Sequence, residues 1–248
     1  MDLAGKIAVV TGGGSGLGRF FALGLADAGV GVVVADVDPT AADETAELAS
    51  ARGTPATAVV SDICDPDAAR RLIAAAVERG GPHILINNAG GWTGGEHQYP
   101  DAPPGAWGAT LDLNLRAPML LSQLALEPMG RRGEGAIVNI ASSAGRGLTG
   151  YGSPEYGAAK AGLIRFTSTL AGLEQTHGVR MSCVVPGWIG LERAHAEVAA
   201  MSPAQRSATP PLIPPEEIVA VALDLIRNGQ SGTVIEMCGG EPPRQSAQ

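Results

Sequence analysis

Aromatic side chains are scarce in this chain. Three Phe, three Tyr and three Trp make up 4% of 248 residues, so Ala, Val, Leu and Ile must fill any core. Cysteine is scarcer still: Cys64, Cys183 and Cys238 are odd in number and widely scattered, which fits neither a disulfide framework nor a metal-binding motif. The four histidines (His83, His97, His177 and His195) also lack ligand spacing, so no metal is expected. Positive charge is in deficit, with 17 Lys and Arg against 25 Asp and Glu and a net charge of −8. That balance argues against nucleic acid or an anionic membrane as the main partner. No apolar run is long enough to span a bilayer, and Asp2 with the early turn residues interrupts any secretory signal pattern. The expectation is a cytoplasmic enzyme or binding protein.

What the chain has in quantity is glycine, 35 residues, and proline, 18, which suits a globular protein with many tight turns. Its length allows one large domain with a full core. Short apolar runs, read as strands, fall at 6–11, 32–36, 56–61, 83–87, 136–141, 179–185 and 233–237. Segments of helical spacing separate them, at 40–52, 67–79 and 216–227 among others. A long helix is expected over 107–129, bent near Pro118, which cannot donate the normal helical hydrogen bond. The alternation predicts an α/β fold: a single Rossmann-type domain over 1–248, with a doubly wound seven-stranded parallel sheet and helices on both faces. Residues 188–214 show little alternation and read as a partly helical substrate lid, and 241–248 as a polar tail.

The first strand runs into Thr11-Gly-Gly-Gly-Ser-Gly-Leu-Gly18 and then an Ala- and Leu-rich helix. Strand, glycine-rich turn and helix is the geometry that seats a pyrophosphate on unpaired helix N–H groups. Glycine permits the tight turn and close backbone approach that a side chain would block. Gly12, Gly16 and Gly18 follow a TGxxxGxG spacing rather than GxGxxG. Asp36 ends the second strand about 20 positions later, where a carboxylate can accept hydrogen bonds from the ribose hydroxyls of NAD. The same charge repels the 2′-phosphate of NADP, and Val37 and Asp38 offer no cation to offset it. Arg19 is the remaining candidate clamp for that phosphate. NAD is therefore expected ahead of NADP.

Tyr156 and Lys160 stand four residues apart on a helical stretch, so phenol and ammonium share one face. A fixed positive charge moves a phenol's pKa from about 10 towards the working range of a general acid–base. Polar residues also close the fourth and fifth strands, at Asn87-Asn-Ala-Gly90 and Ser142-Ser143, and Asn114 sits inside the long helix. A mid-helix Asn is mildly unfavourable, so it faces solvent or has a specific partner.

Taken together, TGGGSGLG at Thr11–Gly18, NNAG at Asn87–Gly90, Asn114, Ser142-Ser143, YGAAK at Tyr156–Lys160 and Pro186-Gly187 resemble the classical short-chain dehydrogenase/reductase family in kind, order and spacing. The resemblance runs from about Leu3 to Gly240. It implies a catalytic set of Asn114, Ser142, Tyr156 and Lys160: Tyr156 as acid–base, Lys160 tuning it and binding the nicotinamide ribose, Ser142 on the substrate oxygen, and Asn114 holding a relay water. Offsets along the strand favour Ser142, whereas counting back from Tyr156 gives Ser143. For the cofactor it implies contacts from Gly12, Gly14, Ser15, Gly16, Leu17 and Gly18, and from Asp36, Val37, Asp62 and Ile63. Asn88, Ala89, Gly90, Tyr156, Lys160, Pro186, Gly187 and Ile189 complete that set. His83, where Asp is common, Arg116, where a small or polar residue is common, and the absence of Thr soon after Pro186-Gly187 depart from the pattern.

The function implied is NAD-dependent hydride transfer between nicotinamide and a secondary alcohol or ketone, without a metal. An NADPH-dependent ketoreductase is the alternative, and a non-catalytic nucleotide sensor a third reading, which the intact catalytic set disfavours. Trp92, Tyr151 and Trp188 border the expected substrate cleft. The resemblance also implies a homotetramer or homodimer, with a small molecule as the other partner.

Overall fold

Strictly alternating side-chain direction in near-continuous apolar strands sets the architecture, described by a computed structural model over residues 1–91, 97–147 and 152–246. Trp92 and Tyr151 lie outside the described residues. Seven parallel strands form, β1 (Ile7–Thr11), β2 (Gly31–Asp36), β3 (Ala56–Val60), β4 (Ile84–Asn87), β5 (Gly135–Ile140), β6 (Val179–Pro186) and β7 (Val234–Met237). Their order is β3-β2-β1-β4-β5-β6-β7. Alternate residues go to opposite faces: Ala8, Val10, Val32 and Val34 to one core, Val9, Val33, Leu85 and Ile137 to the other. A strand that is apolar on both faces is stable only when both are covered.

Helices supply the cover, and the described residues contain ten α-helices: α1 (Gly16–Asp27), α2 (Pro39–Ser50), α3 (Pro66–Glu78), α4 (Pro104–Leu111), α5 (Ala117–Arg132), α6 (Pro154–Thr169), α7 (Leu173–His177), α8 (Glu192–Ala200), α9 (Pro203–Ala208) and α10 (Pro215–Asn228). Phe21 and Leu25 of α1, Ala42 and Ala49 of α2, and Ile218 and Leu225 of α10 fill one layer. Leu72 of α3 and Leu121 and Met129 of α5 fill the other. Proline opens several of these helices at a position whose N–H would be unpaired anyway. Asp38 caps α2 by accepting from Thr40 N–H at 2.9 Å, and Asp65 caps α3 by accepting from Asp67 N–H at 2.9 Å.

One expectation needs correction. The long helix does not simply bend at Pro118. It is interrupted by a π-helical turn, Asp112–Arg116, between α4 and α5. Pro118 falls in the first turn of α5 and cannot donate to the carbonyl of Asn114, so the ladder widens just before it. Within the polar tail, β8 (Arg244–Gln245) pairs antiparallel with β7, adding an eighth strand and covering that edge of the sheet. Residues 188–214 carry α8 and α9, and the two ends of this segment are stitched by Ile213 N–H to Trp188 O and Gly190 N–H to Ile213 O, both 2.8 Å.

His83 precedes β4 and locks it to β1. Its backbone N–H donates to Ile7 O at 2.8 Å, and its Nδ1 accepts from Ile7 N–H at 3.1 Å. Only a neutral ring nitrogen can accept. Burial first, then Arg132 and Lys6, hold the imidazole below its ordinary pKa of about 6.5. A depressed folded pKa means that the stabilisation is complete above the unfolded value and is lost as pH falls through the folded one. Thermal midpoints measured from about pH 7.5 down to pH 5 should therefore fall more steeply for the native chain than for His83→Asn, which keeps an acceptor but does not titrate.

Candidate active site

The carboxyl ends of the parallel strands carry the polar residues that the sheet interior cannot hold. At the end of β1, Thr11 Oγ1 accepts from Asn88 N–H and Ala89 N–H, each at 3.0 Å, and donates to Ile86 O at 3.3 Å. Asn88 in return donates through Nδ2 to Thr11 O at 2.9 Å and Gly12 O at 3.2 Å. The glycine turn is thereby tied to the end of β4. Gly12 has φ +59°, and a Cβ at Gly18 would lie 1.8 Å from Gly12 O. No other residue fits at Gly18 without moving the turn.

Asp36 and Arg19 both grip Gly14. Asp36 Oδ2 accepts from Gly14 N–H at 2.9 Å, while Arg19 Nη2 donates to Gly14 O at 2.8 Å. Arg19 also donates to Thr45 Oγ1 at 2.9 Å and pairs with Glu44 at 3.2 Å. Its guanidinium is engaged by the turn and α2.

A cleft of about 430 Å³ runs along these strand ends. Gly12, Ser15, Gly16, Leu17, Gly18, Asp36, Val37, Asp62, Ile63, Asn88, Ala89, Gly90, Tyr156, Lys160 and Ile189 line it, all residues singled out from the sequence. Gly14, Pro186 and Gly187 do not line it. Gly14 lies behind the turn in the grip just described, and Pro186 and Gly187 belong to an adjoining cleft of about 590 Å³. Ser142, Ser143 and Trp188 line that second cleft, and it shares Ala141, Tyr156, Ile189 and Leu191 with the first. Among the described residues, Tyr156 is the one titratable side chain common to both walls. The first turn of α1 contains no acidic side chain, so its N–H groups and dipole are not neutralised there.

Lys160 is almost fully buried, at 2% exposed. Its Nζ donates to Ile140 O at 2.8 Å and stands 5.6 Å from the centroid of the Tyr156 ring. Burial lowers its pKa to about 8. Asn114 is wholly buried in the π turn and lines neither cleft. Its specific partner is Gly91: Oδ1 accepts from Gly91 N–H at 3.0 Å and Nδ2 donates to Gly91 O at 2.6 Å and Thr110 O at 2.9 Å. Ser142 Oγ accepts from Ala144 N–H at 3.2 Å at the start of a short 3₁₀ turn. Arg116, at the end of the π turn, pairs with Asp112 at 2.6 Å and donates to Cys64 O at 2.9 Å, bracing the loop that carries Asp62 and Ile63.

The family model for short chain dehydrogenases matches residues 6–201. The chain belongs to the short-chain dehydrogenase/reductase family. It is 33% identical over 253 residues to the cis-4-hydroxycyclohexanecarboxylate dehydrogenase of Sinomonas cyclohexanicum, covering 96% of each chain. It is 30% identical to the (3R)-3-hydroxyacyl-CoA dehydrogenase of Mus musculus, covering 97% of each. A solved 7α-hydroxysteroid dehydrogenase, in complex with NADH and 7-oxo glycochenodeoxycholic acid, superposes with a TM-score of 0.86 at 28% identity, over 98% of this chain and 97% of that one. As a member of this family the protein is an NAD(P)-dependent dehydrogenase acting on CH–OH groups. The cleft fits such a dinucleotide: a glycine-only approach at Gly12 and Gly18, an open helix N-terminus, and a carboxylate at the β2 end.

Sequence reading missed Ser61, Leu113, Ile140, Ala141 and Leu191 on the first cleft. Ser61, Ile140 and Ala141 follow from the rule that ligands lie outside strand carboxyl ends. Leu113 needed knowledge of the π turn, and Leu191 of the lid's path. Among the described residues, no helix is long and apolar enough to cross a membrane.

Gly90 separates the two buried polar groups. A Cβ there would stand 2.8 Å from Asn114 Oδ1 and 3.0 Å from Lys160 Nζ. Gly90→Ala is expected to cost about 1–3 kcal/mol, as overpacking does, and to displace Lys160. Denaturant unfolding and steady-state turnover check this together: turnover should drop while the chain remains folded.

Proposed function

We propose that the protein catalyses reversible NAD-dependent hydride transfer between nicotinamide and a secondary alcohol or ketone, with Tyr156 as the general acid–base. The observation that carries this reading is the position of Tyr156 on the wall shared by the two clefts. A nucleotide on the α1 side and a substrate beside Ser142 meet only there. The bound nicotinamide supplies or accepts the hydride. As an alcohol is oxidised its hydroxyl proton passes to the Tyr156 oxygen, and in ketone reduction the same oxygen returns it.

Burial lowers the pKa of Lys160, and the positive charge its ammonium carries faces the Tyr156 ring. With little water around it, that charge is weakly screened and stabilises negative charge on the neighbouring phenol oxygen. Ser142 is the better candidate to hold the substrate oxygen. It is half-buried where Ser143 is exposed, and its Oγ accepts from Ala144 N–H, leaving its own proton to donate into the cleft. Asn114 acts in this scheme by holding Gly90–Gly91 beside Lys160. Any relay water would be held by its main-chain carbonyl, to which Pro118 cannot donate.

The cofactor preference rests on Asp36 and Arg19. The Asp36 carboxylate borders the cleft, exposed Val37 brings no cation, and Arg19 is committed to Gly14, Thr45 and Glu44. Among the described residues beside Asp36, a 2′-phosphate would meet a carboxylate and an arginine already engaged by Gly14, Thr45 and Glu44. The NADH in the related 7α-hydroxysteroid dehydrogenase complex supports the same choice. The names of both hydroxy-compound dehydrogenases compared above support a secondary carbinol as substrate. A homotetramer or homodimer is the assembly proposed, supported by the apolar α5 surface at Leu120 and at Met119, which is 41% exposed.

Tyr156→Phe and Ser142→Ala should each lower turnover about a hundredfold or more, the usual range for loss of an acid–base partner. NAD binding, followed by cofactor fluorescence, should survive, and Ser143→Ala should retain activity. Full turnover by Tyr156→Phe would overturn the mechanism. With one alcohol substrate, kcat/KM should be at least about tenfold higher with NAD than with NADP, and Asp36→Ala should narrow that ratio, as removing a like charge removes its repulsion.

A further inference from the structure

Behind the substrate cleft lies a third cavity, of about 320 Å³, between the lid and the C-terminal strand. Ser143, Gly187 and Trp188 belong to the walls of both, so the two spaces are neighbours across these residues. Gly187 has no side chain, which leaves Trp188 and Ser143 as the only side chains shared between them among the described residues. The far wall is apolar, with Val185 and Met237 from the strands and Pro210, Pro211 and Pro242 from the loops.

We propose that this chamber is a distal subsite of the substrate cleft, and that it takes an uncharged apolar ring or chain carried by the substrate away from its reacting carbon. The inference rests on the reading of the adjoining cleft as the site of alcohol oxidation. Charge decides the class of ligand. The chamber's arginines are each paired to a carboxylate beside them, Arg146 to Glu236 and Arg244 to Glu241 at 3.6 Å. Ser246 Oγ also donates to Glu236 at 2.5 Å. An anionic group would have to break these pairs to be recognised, whereas an apolar group has only water to displace.

The chamber is also built in advance. Trp188 is held by its backbone, because its carbonyl accepts from Ile213 N–H at 2.8 Å. The opposite wall is fixed where Gly239 meets Pro211 so closely that a Cβ would lie 1.6 Å from the Pro211 oxygen. A wall that does not have to be ordered on binding keeps more of the burial energy for affinity.

Cys238 lines the chamber and neither of the other two clefts, and it is exposed, whereas Cys183 is buried. It allows the chamber to be filled in the folded enzyme without a destabilising mutation. The enzyme with NAD is assayed on a series of unbranched secondary alcohols from short to long, before and after labelling with a bulky maleimide, the labelled residue being verified by mass spectrometry. Unlabelled enzyme should gain up to about fourfold in kcat/KM per added methylene until the chamber is filled. Labelling at Cys238 should abolish that gain while leaving the shortest alcohols unchanged. Cys238→Ser, treated in the same way, should keep the gain. No rise with chain length, a rise that survives the label, or an equal loss for all alcohols would each overturn the subsite. Absence of turnover with every alcohol in the unlabelled enzyme would instead overturn the underlying reading of the cleft, and the subsite with it.

Discussion

A hydrogen bond from Lys160 Nζ to the main-chain oxygen of Ile140 holds the buried end of the first cleft in place. Taking an ammonium out of water costs several kcal/mol even after relaxation. The fold offsets part of that cost with the carbonyl at the end of β5, and burial still lowers the pKa of the ammonium. The bond also answers a geometric problem. Lys has a long flexible stem, and a charge at its tip has no defined position unless something else defines it. Here a strand does. Because β5 is hydrogen-bonded to β4 and β6 on either side, the ammonium inherits the rigidity of the sheet. Gly90 then limits how close the π turn can come, and Asn114 holds Gly91 from behind, so three elements converge on one cation.

The nucleotide end is organised by a different constraint, the main chain of Gly14. Its N–H is taken by Asp36 and its carbonyl by Arg19. In the sequence these two residues look like rivals, one selecting a ribose hydroxyl and the other a 2′-phosphate. In space they are partners that clamp one glycine from opposite sides. A residue that bounds the cleft and also fixes the turn cannot be exchanged without loosening the cradle. Gly14 fixes that cradle through both of its main-chain groups.

Features set by local period or by a required residue type were legible in the sequence. The strands could be read because they are near-continuous apolar runs bounded by turns. Gly12 and Gly18 could be read because only glycine fits there, and Tyr156 and Lys160 because helical spacing puts them on one face. The π turn was half legible: Pro118 marked where the helical ladder is disturbed, but composition does not distinguish a bend from an inserted π turn. β8 has two residues, too few to show any period, and exists because β7 offers an unpaired edge. The partner of Asn114 lies 23 residues earlier in a loop, and the role of Arg116 depends on Cys64, 52 residues away. Such pairings belong to the folded chain and have no local signature.

The two ends of the site differ in how tightly physics constrains them. A pyrophosphate and a ribose demand glycines, a helix terminus and a carboxylate, so the first cleft is written in residue types. The substrate side asks only for apolar walls of a certain shape, which many residues can provide. Its shape is then fixed by whatever fixes its backbone: Ile213 on Trp188, Pro211 on Gly239, and the β7–β8 pairing behind Glu236 and Arg244. Selectivity for the substrate is therefore coupled to the edge of the sheet. A change that loosens β8 would alter the chamber wall while leaving Tyr156, Lys160 and the glycine turn untouched, because no bond described for that edge reaches them.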